Sequence, residues 1–364
     1  VSDSIRMKLD EVHELATTLL LAQGFNQAHA NAIANTVTAA ERDECRHHGL
    51  FRIPFYVNAL RAGQASGDAV PTVDDLAPAV IRVDAHYGFS PLALEVGDEL
   101  LAKRAQETGI AALAVNNALN VAALWPEVER LANRGLVAFA FVAAAPYVAP
   151  HGGTKPLYGT NPMAFAWPRL NHPPMVFDQA SSASARGEIQ VRLRDGKPLP
   201  EGWAVGPDGK PTTDPKAALA GAQLPFGGVK GASIAMMVEL LAGPLVGDLL
   251  SYEAGEKDVA NTGAPCGGEL IIAIDPVRCL KNGNRKAQLE HGEQLFSKIL
   301  EQEGTRLPSQ RRYEARGRTV VEGVTVPKSL YDTLKLFSTG TYVRQENAYE
   351  GDDLLRGKPA KAVA

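Results

Sequence analysis

Apolar residues at Leu9, Val12, Leu15, Ala16, Leu19 and Leu20 return every three or four positions, so the first stretch predicts a helix with one buried face, ending at Gly24. A second helix follows, with Asn26 as N-cap and Ala30, Ile33, Ala34 and Val37 as its stripe. A third, around 55–60, runs into Gly63, Gly67 and a polar loop rich in Asp and Pro. From position 79 the pattern becomes strand alternating with helix. Strands are expected over 79–83, 110–115 and 136–142. Between them the pattern predicts a helix capped by Ser90, with Pro91 first and Gly109 last, and another over 122–133 closed by Gly135.

This alternation argues for an α/β core. A block from Pro150-His151-Gly152-Gly153 to Gly159-Thr160-Asn161-Pro162 is dense in turn-forming residues. Strands are expected over 175–178 and 189–193, then a surface loop over 195–215. Phe226-Gly227-Gly228-Val229-Lys230-Gly231 opens an apolar helix over 232–245. A strand over 269–275, a helix over 288–303 and a basic loop over 305–312 follow. A short helix then runs to about Phe337, and a polar tail from Ser338 is expected to be mobile. Three segments result: an N-terminal helical segment over 1–75, an α/β core over 76–325, and a C-terminal helix with its tail over 326–364.

Composition excludes some classes. Of the 364 residues, 45% are hydrophobic and 21% charged, as in ordinary globular chains. A formal charge of -4 and a pI near 6.1, without a basic stripe, disfavour nucleic-acid and membrane partners. No run long and apolar enough to span a bilayer occurs, and the first residues do not read as a secretion signal. Cys45, Cys266 and Cys279 cannot all pair and lack metal-ligand spacing, so reduced thiols, a cytoplasmic location and no metal site are expected.

Chemistry concentrates in Cys45-Arg46-His47-His48-Gly49-Leu50-Phe51-Arg52. Histidine changes charge near neutral pH, and arginine can fork onto a carboxylate. On a helix, residues four apart share a face, so His48 and Arg52 could grip one small acid; Pro54 places a helix start or kink just beyond. The glycines before Lys230 suit either an anion at a helix N-terminus or tight packing of that helix on a sheet. Arg306, Arg311 and Arg312 suit either a solvated face or a phosphate. No G-x-G-x-x-G follows a strand, and no P-loop, G-x-S-x-G or H-E-x-x-H occurs, so a bound dinucleotide would not use the usual Rossmann turn.

His48-Gly49 with Arg52, Ala122-Ala123-Leu124-Trp125-Pro126, Pro150-His151-Gly152, Gly159-Thr160-Asn161-Pro162, Pro225-Phe226-Gly227-Gly228 with Lys230-Gly231, and Arg306-Leu307-Pro308 with Arg311-Arg312 occur in order over about residues 5 to 325. Together they resemble the malate/L-lactate dehydrogenase type-2 family and, within it, the Δ1-piperideine-2-carboxylate/Δ1-pyrroline-2-carboxylate reductases. The resemblance implies a non-Rossmann NAD(P)-binding α/β fold like that of sulfolactate dehydrogenase, with a mixed central sheet and an N-terminal helical subdomain, working as a homodimer. It implies reduction of the C=N bond of a cyclic, carboxylate-bearing imine by NADPH, with NADH as the alternative.

The same resemblance puts the proton donor at His48 beside His47, an acidic partner at Glu188, and the carboxylate clamp at Arg52. Asn120, Thr160 and Ser182 fall on the substrate side. Nucleotide contacts fall at Ala122, Ala123, Leu124, Trp125, Pro126, Arg186, Gly187, Val229, Lys230, Arg306 and Arg311. Three positions depart from the pattern. His47 replaces a small hydroxyl residue, Asn120 replaces a histidine and cannot carry a proton, and Ser181 replaces a threonine. A 2-oxo acid reductase and a non-redox protein that keeps the fold stay open as alternatives; Asn120 disfavours the first, because polarising a ketone gains more from a charged donor.

Overall fold

A short strand, β1 (Ser4–Met7), leads into α1 (Leu9–Ala22), whose buried stripe is the one its spacing requires. Asn26 caps α2 (Gln27–Arg42) by accepting a hydrogen bond from the His29 N–H. α3 (Ile53–Arg61) carries Pro54 in its first turn, where a missing N–H costs nothing. The computed structural model describes residues 3–258, 263 and 266–338. The polar tail expected from Ser338 lies, past that residue, outside them.

A helix-spanned crossover builds the centre. β2 (Thr72–Ala77) and β3 (Val80–Asp84) are antiparallel; α4 (Ser90–Thr108) then returns the chain to β4 (Ile110–Leu119), parallel to β3. After α5 (Trp125–Asn133) come β5 (Val137–Val142), β6 (Met163–Trp167) and β7 (Met175–Gln179), each antiparallel to the last. An excursion follows: α6 (Arg186–Arg194), the short strands β8 (Ala204–Val205) and β9 (Pro211–Thr212), α7 (Pro215–Ala220) and β10 (Ala222–Gln223). α8 (Val229–Ala242) and α9 (Ser251–Lys257) lead to β11 (Cys266–Ile274). This late strand inserts antiparallel between β4 and β5, giving a seven-stranded mixed sheet of order β2-β3-β4-β11-β5-β6-β7.

Alternation decides what each face buries. Leu113, Val115, Ile271 and Ala273 point into the core under α4 and α5, while Ala114, Leu270 and Ile272 face α8. With both faces covered, β4 reads as a continuous apolar run. The described residues end with α10 (Arg285–Leu300), α11 (Gln310–Glu322), β12 (Val324–Pro327) and α12 (Lys328–Ser338). β12 pairs with β1, and Val326, Leu334 and Phe337 share a core with Leu19, Leu20 and Ile33.

Several sequence expectations are corrected. The stretch 189–193 is helical within α6: Ile189, Val191 and Leu193 alternate, but only Ile189 is fully buried, and Glu188 pairs with Arg192 one turn on. Ser90 is the first residue of α4 rather than its cap, and its buried hydroxyl has no partner. Residues 122–124 precede α5, and α8 covers 229–242 rather than 232–245. Within 305–312 the last three residues already belong to α11, whose polar sequence has an apolar signal too weak to announce it. The loop after Gly67 holds β2, an edge strand exposed along its length.

Candidate active site

His48 and Arg52 are brought together, although not by one α-helix. Two 3₁₀ turns, Arg46–His48 and Leu50–Arg52, are separated by Gly49. A Cβ at Gly49 would stand 2.1 Å from Glu41 Oε1, so any side chain there would displace the Glu41 carboxylate. Glu41, on α2, accepts the Leu50 N–H at 2.8 Å and clamps the second turn; burial raises its pKa to about 7. Phe55 lies under the Arg52 guanidinium, 4.9 Å from its carbon to the ring centre.

Both groups keep some accessible surface yet are closely enough surrounded for desolvation to dominate. Burial first, then the Arg52 charge, lower the His48 pKa to about 3. The Val121 backbone favours the charged ring but is not at hydrogen-bond geometry, since Nδ1 is buried without a partner. Arg52 Nε is likewise buried and unpartnered, and its charge meets no acid among the described ion pairs. An imidazole and a guanidinium therefore share a partly desolvated site in which the guanidinium has no carboxylate among the described ion pairs.

The end of β4 supplies the next wall. Asn120 Nδ2 donates to Glu269 Oε2 at 2.8 Å, and Asn120 Oδ1 accepts the Ala122 N–H at 3.0 Å, which fixes the turn leading to Trp125. Trp125 meets His48 edge to face, ring centres 6.2 Å apart. Asp178 at the end of β7 accepts the Leu124 and Trp125 N–H groups at 2.9 and 3.1 Å. The start of α5 is thus satisfied by a protein carboxylate, leaving those two donors unavailable to a phosphate. On the other side of Trp125 lies Arg312, 4.9 Å from its ring centre.

α6 closes the site opposite. A Cβ on Gly187 would lie 4.0 Å from His47 Nδ1, placing this helix start against the histidine pair. Arg186 stacks on Tyr147 at 3.7 Å, and Arg52 is close enough to Tyr147 for the two to interact electrostatically. The Glu188 carboxylate is bound to Arg192 Nε at 2.9 Å. Ser182 donates to the Ser184 carbonyl at 2.6 Å, and the Thr160 carbonyl accepts the Ser181 N–H at 2.7 Å. The adjoining Asn161 is committed to the fold, donating to Ala235 O and Glu239 Oε1.

Val229, Lys230, Arg306 and Arg311 stand apart from this cluster as exposed side chains. Gly227 and Gly228 have φ of 55° and 64°, a backbone that presents the start of α8 with Lys230 in its first turn. Glycine-shaped backbone, helix N-terminus and lysine fit the phosphates of a nucleotide, while Trp125 is buried beside His48 and Arg312 donates to the Val176 carbonyl and Ser309 Oγ. The motif reading gave no role to Tyr147, Asp178 or Glu269. Glu269 carried one signal, a lone acid heading the apolar run Leu270-Ile271-Ile272-Ala273-Ile274. Among the described residues no His, Cys, Asp and Glu cluster is placed to hold a metal, and no helix is long and apolar enough to cross a membrane.

Comparison with known proteins identifies the family. Residues 7–335 match the model of the malate/L-lactate dehydrogenase family. The Delta(1)-pyrroline-2-carboxylate/Delta(1)-piperideine-2-carboxylate reductase of Pseudomonas aeruginosa is 53% identical over 330 residues, covering 91% of this chain and 98% of that one. The crystal structure of Δ1-piperideine-2-carboxylate reductase from Pseudomonas syringae superposes with a TM-score of 0.86 at 39% identity, over 92% of this chain and 99% of the other. Sulfolactate dehydrogenase from Methanocaldococcus jannaschii has the same fold, with a TM-score of 0.83 at 28% identity over 93% and 97%. The chain belongs to the malate/L-lactate dehydrogenase family of oxidoreductases.

Proposed function

We propose that this chain reduces the C=N bond of a small cyclic imino acid bearing a 2-carboxylate, with NADPH as the reductant. A reduced nicotinamide supplies the hydride for the imine carbon; the protein's own task is to hold the carboxylate and manage the proton on nitrogen. The supporting observation is the unpaired, desolvated Arg52 beside His48. Arg52 takes the substrate carboxylate through paired hydrogen bonds. That contact cancels the Arg52 charge, the second cause after burial of the low His48 pKa, and His48 is the group placed to pass a proton to the nitrogen. Asn120, held by Glu269, offers the pocket a neutral amide, which suits an imine already close to protonation better than a ketone.

Lys230 with Gly227 and Gly228 would hold the nucleotide's phosphates, and Arg306, Arg311 and Arg312 would favour the additional phosphate of NADPH. A homodimer is part of the same reading. Val229, Met236, Met237 and Leu240 expose an apolar stripe along α8, continued by Leu245, and a second copy of the chain would cover it. Light scattering on the purified protein tests this, a monomer at micromolar concentration being the contrary result.

The deciding experiment compares a five- and a six-membered cyclic imino acid with pyruvate and oxaloacetate, each with NADPH and with NADH. The imines are expected to be reduced fastest. A faster oxo acid would transfer the assignment to 2-hydroxy acid chemistry, and failure to bind NADPH in a fluorescence titration would remove the redox role.

A further inference from the structure

We propose that a cleft at the opposite end of the sheet from Asn120 binds the phosphate group of a small molecule through Arg278, Lys281 and Arg285. Three segments meet there: the end of α4, the turn between α5 and β5, and the stretch from Asp275 to Arg285 that joins β11 to α10. They border a cleft of about 700 Å³, within the usual range for a small-molecule site. β4 starts beside it at Ile110 and ends at Leu119, next to Asn120. Its 10 residues put the cleft roughly 30 Å along the strand from that wall of the candidate active site.

Two glycines shape this cleft. α4 and α5 each run into a glycine of positive φ, 91° at Gly109 and 83° at Gly135, and an arginine is laid across each. A Cβ on Gly109 would stand 3.2 Å from the Arg278 Cβ, and one on Gly135 only 1.5 Å from Arg285 Nη2. Arg285 is exposed yet not splayed into solvent, its guanidinium resting on main chain, and it stands at the positive end of α10. The carbonyl ends of α4 and α5 favour cations here, and Arg278 Nε donates to the Gln106 carbonyl at 3.2 Å. That bond apart, the side chains of Arg278, Lys281 and Arg285 have no hydrogen bond or ion pair among the described residues. Opposing charge is scarce. Asp275 borders the cleft, with Oδ1 accepting the Val277 N–H, while Arg134 is paired at 2.7 Å with Asp98, which Arg130 also approaches at 3.7 Å. Three uncommitted cations facing one carboxylate leave two positive charges in excess, which a phosphate dianion balances and a single carboxylate does not.

The test needs no turnover, so it stands whether or not the chain reduces imines. Isothermal titration calorimetry of the full chain at low ionic strength, with inorganic phosphate and with ribose 5-phosphate, should find a saturable site that weakens as sodium chloride is added. Equal affinities would mean that the phosphate alone is held, and a tighter ester that the rest of the cleft is read as well. Arg285→Gln should weaken the site about 10-fold or more, and Lys281→Glu combined with Arg285→Glu should abolish it. Lys230→Gln and Arg52→Met, which remove cations elsewhere, should leave it in place. Both cleft side chains are exposed, so the unfolding midpoint without phosphate should not fall in these variants. As a second reading, phosphate should slow acetylation of Lys281 by acetic anhydride, followed by mass spectrometry, and not that of the exposed Lys216. No saturable binding at millimolar phosphate would overturn the proposal. So would a site that survives the double substitution, or one lost in Lys230→Gln or Arg52→Met, or a Lys281 that phosphate does not protect.

Discussion

Arg316 and Arg52 are both withdrawn from water, and they meet opposite surroundings. Arg316, on α11, donates to both oxygens of Asp43 at 2.9 and 2.7 Å and to Glu129 at 2.9 Å. Asp43 also accepts from Arg42 and from Trp125 Nε1, so every strong acceptor there is used. This knot ties the end of α2 to α5 and α11, and the arginines hold the Asp43 pKa below the usual range despite burial. Arg52 rests on an aromatic ring, keeps an unpartnered Nε, and pushes the neighbouring imidazole toward neutrality. A buried cation that already has its acids holds the fold together. One without them, on the function proposed, is kept for a ligand at a cost in stability.

Several measurements would break or sharpen that contrast. The largest effect is expected from His48→Ala, which should lower kcat with a cyclic imine by about 10²- to 10⁴-fold, the usual range for a lost acid-base group, with the unfolding midpoint nearly unchanged. Next come the two arginines, which should respond in opposite currencies. Arg316→Met leaves Asp43 with Arg42 and Trp125 alone and Glu129 without its cation, and should cost about 1–3 kcal/mol in chemical denaturation, with near-normal kcat/KM in the molecules that stay folded. Arg52→Met should leave stability unchanged or slightly higher and lower kcat/KM by about 10²- to 10³-fold. A stability loss in both would erase the distinction.

A smaller effect concerns pH. The folded-state pKa of His48 lies below its ordinary 6.5, so the unfolded chain binds a proton that the folded chain refuses, and stability is lost as pH falls from about 6.5 toward 3. Glu41 and Glu127, raised to about 7, act in the opposite sense over the same window, so the comparison must be with His48→Gln. Between pH 7 and pH 5, wild type should lose about 1–2 kcal/mol relative to that variant, the figure discounted because the ring keeps some solvent contact. Saturating a carboxylate ligand should shrink the difference; an unchanged one would mean that Arg52 and the ligand do not meet. The smallest effect is expected from His47→Ser, which should alter kcat/KM by about twofold at most, its ring being exposed. Loss equal to that of His48→Ala would mean that proton transfer runs through both rings.

Local patterns carried most of the fold. The stripes of α1 and α2, the Asn26 cap and the apolar runs of β4 and β5 are properties of neighbouring residues, which is why they were legible. The strand expected over 189–193 turned out helical because three alternating apolar residues fit either state, and the choice was made by packing of Ile189 against Leu199 and Ala218. β1 and β12 are four residues each and stabilise one another across the whole chain, so neither carries a signal alone. The site divides in the same way. His48, Arg52 and Arg186 belong to recognisable runs; Tyr147, Asp178 and Glu269 are single residues whose meaning comes from sheet register and from the stacking of Arg186 on Tyr147.

The place of β11 also governs how the molecule is made. β4 and β5 leave the ribosome as apolar strands with open facing edges, and the segment that joins them follows about 120 residues later, roughly 6–25 s at ordinary elongation rates. Until then the nascent chain offers two unpaired templates for association, and the catalytic pocket has neither Glu269 nor its floor. Assembly of the centre is therefore late and non-local, which makes folding slow, dependent on chaperones at high expression, and most vulnerable to substitutions that weaken strand insertion.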